Sequence, residues 1–185
     1  MPTINFHSHL TGIYEVVRVY DGDTITIETE IGTTVSLRLI GVDTPEINAK
    51  TQAERNRAIR ARDYLRDMIL DKEVVITFEA STKTLDGIGR GPYCRPLSYI
   101  FYRDTAAEKN IFVNLQIVWD GHGEKYFKYD FEYEDFFRLD QAEAQRRIDE
   151  LDLEPKPKGR LWIVTPESPQ HRKTVVTTWA NLKRN

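Results

Sequence analysis

The feature that most restricts the fold is a change of period near residue 50. Ahead of it, three short runs at 13–19, 24–30 and 34–40 place apolar side chains at alternate positions. Ile13, Val17 and Val19 do so imperfectly, Ile25 and Ile27 sit between Thr24, Thr26 and Glu28, and the third run ends on Leu37, Leu39 and Ile40. Such alternation marks a strand with one face buried. From Thr51 the spacing becomes three and four, through Ala58, Ala61, Leu65, Met68 and Ile69, behind the capping box Thr51-x-x-Glu54, so a helix is expected to about Leu70. Two more apolar runs, EVVITF at 73–78 and LSYIFY at 97–102, read as a fourth and a fifth strand. Strand, strand, strand, helix, strand, strand is the pattern of a small mixed β-barrel.

The second half of the chain reads as helical. NLQIVWD at 114–120, closed by Gly121, predicts a second helix, and the apolar positions Phe136, Phe137, Ala144, Ile148 and Leu151 predict a third over 132–151. Pro155 and Pro157 end it, and Trp162 in GRLWI is expected to dock back on the core. The expected layout is an unpatterned extension at 1–12, one domain over 13–163 and a basic tail at 164–185. His7 and His9 in the extension receive no function. Arg55, Arg57, Arg60, Arg62 and Arg66 on the first helix alternate with acids, which is the pattern of a solvated face rather than of a phosphate-binding stripe.

A chain of 185 residues buries a sizeable core without staples, and its single cysteine, Cys94, excludes an internal disulfide. No apolar stretch approaches the length of a membrane span, and the N-terminus has neither a charged start nor an apolar run of signal-peptide length, so a cytoplasmic protein is expected. The net charge of −3 hides two opposite segments. Residues 124–154 hold eleven acids against five bases, and residues 155–185 seven bases against one acid. Binding a polyanion needs a local basic field, not a basic average.

Chemistry is concentrated in LRLIGVDTPE, residues 37–46, where a strand breaks through Gly41 into a polar loop. Asp23, in the DGDT turn between the first two strands, can meet Asp43 if those strands pair with the third. Two carboxylates and the Thr44 carbonyl make a hard oxygen site suited to Ca²⁺ or a similar divalent ion. Arg38 can hold a phosphate by its guanidinium fork, and Glu46 can take a proton from water.

DGDT followed at this distance by RLIGVDTPE resembles the staphylococcal nuclease (thermonuclease) family, over about residues 13–162. The resemblance implies a five-stranded OB-fold with the first helix between strands three and four, here with three helices in all. It implies one Ca²⁺ held by Asp23, Asp43 and Thr44, with Arg38 and Glu46 acting on a phosphodiester of DNA or RNA. Endonucleolytic cleavage leaving 3′-phosphate ends, by a monomer, is part of the same implication. A non-catalytic OB-fold module that binds nucleic acid or a protein is the competing expectation, which the full set of acids and arginines disfavours.

The family's second arginine is where this chain departs from the pattern. Asp86-Gly87-Ile88-Gly89-Arg90 fits its turn side, and Tyr93-Cys94-Arg95-Pro96-Leu97-Ser98-Tyr99-Ile100 fits its strand side, the two candidates standing five positions apart. A one-residue slip reverses the face of a strand side chain, so distance to the strand favours Arg95 as catalytic, with Arg90 left to touch substrate. Tyr126 and Tyr129 follow Gly121 as a nucleotide-contacting tyrosine pair does in the family, although KYFKYDFEYEDFF is aromatic throughout and core packing is the alternative for each ring.

Overall fold

In the computed structural model of the protein, which describes residues 11–29, 31–151 and 153, the first three strands form an antiparallel meander: β1 (Thr11–Asp21), β2 (Thr24–Glu28) and β3 (Thr34–Leu39). Val16 lies opposite Ile27, and Ile25 opposite Leu37, so the alternating apolar residues share the inner face. β1 starts two residues ahead of the expected Ile13, because Thr11 and Gly12 pair with Thr77 and Ile76 of the later strand β5 (Glu73–Phe78). Next come β4 (Val42–Asp43) and helix α1 (Gln52–Ile69). The expected capping box opens α1, and Ala58, Ala61, Leu65 and Ile69 form its buried stripe.

Closure of the barrel depends on β6 (Leu97–Asp104). It runs antiparallel to β5, while its first residues pair in parallel with the end of β3, Arg38 with Leu97 and Leu39 with Ser98. The ring β1-β2-β3-β6-β5 is therefore the closed five-stranded OB-fold barrel that the sequence resemblance implies. β7 (Lys109–Phe112) extends the sheet beyond β6 and was not expected, since its four residues carry no alternation to find. α2 (Val113–Trp119) follows directly, and β8 (Glu124–Lys125) pairs with β4.

The three expected helices become four α-helices among the described residues. The helix expected over 132–151 is divided into α3 (Glu134–Arg138) and α4 (Gln141–Asp149). Leu139 and Asp140 have extended backbone, and the Asp140 carboxylate accepts from Glu143 N at 3.0 Å, so it caps a new helix instead of continuing the old one. The apolar spacing spans the break, which is why periodicity alone reads one helix there. Trp162, the basic tail, His7 and His9 lie outside the described residues.

Two cores result from the two faces of β6. Ile100 points into the barrel with Val16, Ile25, Leu37 and Ile76, closed at one end by Leu65 and Ile69 of α1. Its neighbours Tyr99 and Phe101 point outward and pack with Phe112, Tyr133, Phe136 and Phe137 beneath α3 and α4. Each fully buried phenylalanine contributes about 1.5–3 kcal/mol by leaving water. Asn114 joins both cores to the strand end. Wholly buried, it accepts from Ile100 N and donates to Ser98 O and Ile40 O, each at 3.0 Å. The backbone is thereby pinned one residue ahead of the polar loop.

Candidate active site

The polar loop leaves β3 through Gly41, whose φ of +79° is a conformation that favours glycine. A Cβ there would lie 2.7 Å from Phe137 Cζ, so both the turn and the packing beneath it exclude a side chain. Beyond the turn, β4 pairs with β8, Asp43 opposite Glu124, and Tyr126 N donates to Gly41 O at 3.0 Å. These contacts hold Asp43 at the mouth of the barrel.

Asp23 and Asp43 meet on one guanidinium. Arg38, on β3 opposite Thr24, donates from Nη1 to Asp23 Oδ1 and from Nη2 to Asp43 Oδ1, the latter at 3.0 Å. Asp43 is half exposed, whereas the Asp23 carboxylate is almost wholly buried. Asp23 Oδ2 accepts from Thr44 N and Thr44 Oγ1 at 3.1 and 3.0 Å, and Oδ1 also accepts from Thr24 Oγ1 at 3.1 Å. Four donors thus use the roughly four lone-pair sites of one carboxylate. Even so, the Asp23 pKa is raised to about 7: burial outweighs the charge of Arg38, the nearby Asp21 adds to the rise, and the Thr44 bonds oppose it.

The two candidate arginines have different surroundings. Arg95 Nη1 donates to Thr24 Oγ1 at 3.0 Å, and that hydroxyl in turn donates to Asp23, so Arg95 stands one hydroxyl away from the buried carboxylate. Its Nε is buried with no hydrogen-bond partner. Arg90 is turned elsewhere, paired with Asp86 four residues back. Glu46 is exposed on the same loop as Asp43 and Thr44. Those three line one end of a hollow of about 760 Å³ that continues to α1 and the turn at 121–124.

The tyrosines separate from the rest of their aromatic run. Phe131, Tyr133, Phe136 and Phe137 are buried, while Tyr126, Phe127 and Tyr129 are exposed. Tyr126 directly follows the strand paired with Asp43, and Tyr129 lies further out, beside the Lys128 ammonium. Two further residues of DGDT stand at this cluster. Thr24 bridges Arg95 to Asp23, and Asp21, itself buried, accepts from Asp23 N at 3.3 Å. The sign that could have found them was already visible: four polar or glycine residues between two apolar runs leave no room for a side chain to be idle.

A family model described as staphylococcal nuclease homologue matches residues 36–151. The chain belongs to the staphylococcal nuclease family. An uncharacterized protein of Methanocaldococcus jannaschii is 28% identical to it over 158 residues, covering 77% of this chain and 71% of that one. The thermonuclease of Staphylococcus hyicus is 28% identical over 133 residues, 71% of this chain and 69% of its own. The endonuclease YhcR of Bacillus subtilis is 30% identical over 138 residues, which is 71% of this chain but only 10% of that much longer protein.

Whether this family member's acids suit a divalent ion is a question of donor chemistry. Among the described residues there is no group of three or more His, Cys, Asp or Glu side chains arranged to hold a metal. Two carboxylates do converge, and both are hard oxygen donors of the kind Ca²⁺ takes together with carbonyls and water. The raised pKa of Asp23 points the same way, since burial leaves its negative charge undercompensated by Arg38 and Thr44. The donors fit such an ion, on the condition that one of the four present partners of Asp23 gives way.

Proposed function

We propose that this chain is a divalent-cation-dependent nuclease that hydrolyses phosphodiester bonds of DNA or RNA. The observation that carries this is the convergence of Asp23 and Asp43 on the two arms of the Arg38 guanidinium, with Arg95 one hydroxyl away. Asp23, Asp43 and Thr44 would hold a Ca²⁺ ion, the metal of the thermonuclease family. When bound, the ion supplies positive charge beside phosphoryl oxygens whose negative charge grows toward the five-coordinate transition state.

The protein's own groups supply the remainder. Arg38 and Arg95 donate to the equatorial oxygens, both held in place before substrate arrives. For Arg38 this means exchanging its bonds to the two aspartates for bonds to phosphate. Glu46, exposed at the hollow, accepts a proton as water forms its bond to phosphorus. The bond from phosphorus to the 5′ oxygen breaks, the departing oxygen takes a proton from solvent, and a 3′-phosphate end remains. Endonucleolytic cutting and 3′-phosphate products rest on likeness to thermonuclease.

The test is a labelled oligonucleotide, single-stranded and duplex, incubated with the full chain in Ca²⁺ or in chelator. The expected result is shortening with Ca²⁺ alone, with product ends that phosphatase treatment shifts on a gel. Retardation without shortening in Ca²⁺, Mg²⁺ and Mn²⁺ alike would show a binding module instead.

A further inference from the structure

Arg95 stands at the end of an irregular stretch of chain. The segment before it makes a short 3₁₀ turn over Pro92–Cys94, in which Tyr93 and Cys94 have φ of 62° and 57°, a region that non-glycine residues seldom enter. The turn is tied back locally, by Gly91 N to Arg95 O at 2.9 Å and by the bridge between Arg90 and Pro96. These bonds hold the backbone and leave the long side chain to be aimed by something else. The Tyr93 ring lies 5.7 Å from Arg95 Cζ, but that ring is 91% exposed, and a cation over an exposed ring is weakly held.

What aims the guanidinium lies across the barrel. Thr24 opens β2 with Asp21 of β1 opposite it on one side and Arg38 of β3 on the other, and it is buried, so its backbone is fixed by two neighbouring strands. Its β-branched side chain is stiff at χ1. The hydroxyl has one proton, which goes to Asp23 Oδ1 at 3.1 Å, so it can meet Arg95 only as an acceptor, and Arg95 Nη1 donates to it at 3.0 Å. Because the carboxylate draws on the hydroxyl proton, the hydroxyl oxygen becomes the better acceptor for a cation. This is the one side-chain hydrogen bond of Arg95 among the described residues. Arg38 donates to the same Asp23 oxygen directly. Two guanidinium groups thus converge on one carboxylate oxygen, the first in contact and the second through Thr24.

We infer that Thr24 is the positioning residue of Arg95: its hydroxyl, carried on the rigid barrel, sets where the guanidinium of an irregular loop comes to rest. The inference rests on the nuclease reading above and deepens it. In that reading Arg38 exchanges its aspartates for phosphate, whereas Arg95 keeps Thr24 and offers the rest of its fork. Thr24 itself touches neither substrate nor the reacting atoms.

The test is a double-mutant cycle between Thr24→Val and Arg95→Ala, with Thr24→Ser beside it, read as cleavage of a fluorescent single-stranded 20-mer. Rates are taken at saturating Ca²⁺, so that a weaker ion site at Asp23 does not enter them. Valine matches threonine in shape, suits a strand and removes only the hydroxyl. Thr24→Val should lower kcat/KM roughly 10- to 10²-fold, chiefly through kcat, as a misplacement of about 1 Å does. Thr24→Ser, which keeps the hydroxyl, should restore most of that loss. In the Arg95→Ala background Thr24→Val should change kcat by less than about twofold, since nothing is left for the hydroxyl to aim. A Thr24→Val protein with near wild-type turnover overturns the inference, and so does one that loses the same factor in both backgrounds, because the hydroxyl then acts through Asp23. A wild type that does not cut the 20-mer overturns the nuclease reading, and this inference with it. A thermal melt confirms that each variant is folded, and Thr24→Ala supplies the same contrast if the valine chain is not.

Discussion

Replacing Arg95 and Arg90 separately by alanine divides catalysis from stability. Arg95 has one donor on Thr24 and a buried Nε with no partner, so it brings unspent donors to within one hydroxyl of Asp23. Removing a preorganised donor of this kind costs roughly 10²- to 10³-fold in kcat, or about 2.7–4 kcal/mol of transition-state stabilisation. Little stability should go with it, because its single hydrogen bond is worth about 1 kcal/mol net. Arg90 is the reverse case. Its partner Asp86 is only 12% exposed, and Arg90→Ala leaves that carboxylate with the Ile88 N–H alone and no counter-charge, at a cost of about 1–3 kcal/mol. For a chain of this size that lowers Tm by roughly 2–4 °C per kcal/mol, while kcat on oligonucleotide should stay within a few fold. Steady-state cleavage in Ca²⁺ and a thermal melt on each variant supply both readouts. An Arg90→Ala protein that loses turnover beside an Arg95→Ala protein that keeps it would refute the placement of the second arginine.

Other outcomes follow from single contacts. Glu46→Gln should reduce kcat by roughly 10²-fold or more with substrate affinity in chelator unchanged, as loss of a proton acceptor does, and near-full turnover would remove Glu46 from that role. Gly41→Ala should cost more than about 1 kcal/mol, because positive φ and the approach to Phe137 add, and a melting temperature at or above wild type would contradict the packing described. Asn114→Leu removes three hydrogen bonds, and although Ser98 O keeps the Ile40 N–H, a loss of about 2–3 kcal/mol in denaturant unfolding is expected, with a small loss speaking against its pinning role. In chelator, Asp23 holds its proton more tightly folded than unfolded, so folding is favoured as pH falls through about 7 toward the unfolded value of 3.8. The stability of Asp23→Asn relative to wild type should therefore improve between pH 6 and pH 8, by about 1.4 kcal/mol, and a relative stability that falls or stays level would show that Asp23 is ionised without penalty.

Local pattern determined much of this protein. Five strands and α1 lie where period and capping place them, because each buries one face and the spacing of apolar residues records which one. The resemblance carried by DGDT and RLIGVDTPE also settled the topology, since β3 and β6 pair in parallel through residues far apart in the chain and no local rule foresees that pairing. Packing decided the rest. The division of α3 from α4 turns on one aspartate choosing to cap, and the sorting of the aromatic run into buried Phe131, Tyr133, Phe136 and Phe137 and exposed Tyr126, Phe127 and Tyr129 depends on which rings the outer face of β6 can cover. Spacing could rank Arg95 above Arg90, but only the folded chain sets one beside Thr24 and the other on Asp86. A side chain's place along the chain is written in the sequence, whereas its partner across the barrel exists only once the barrel has closed.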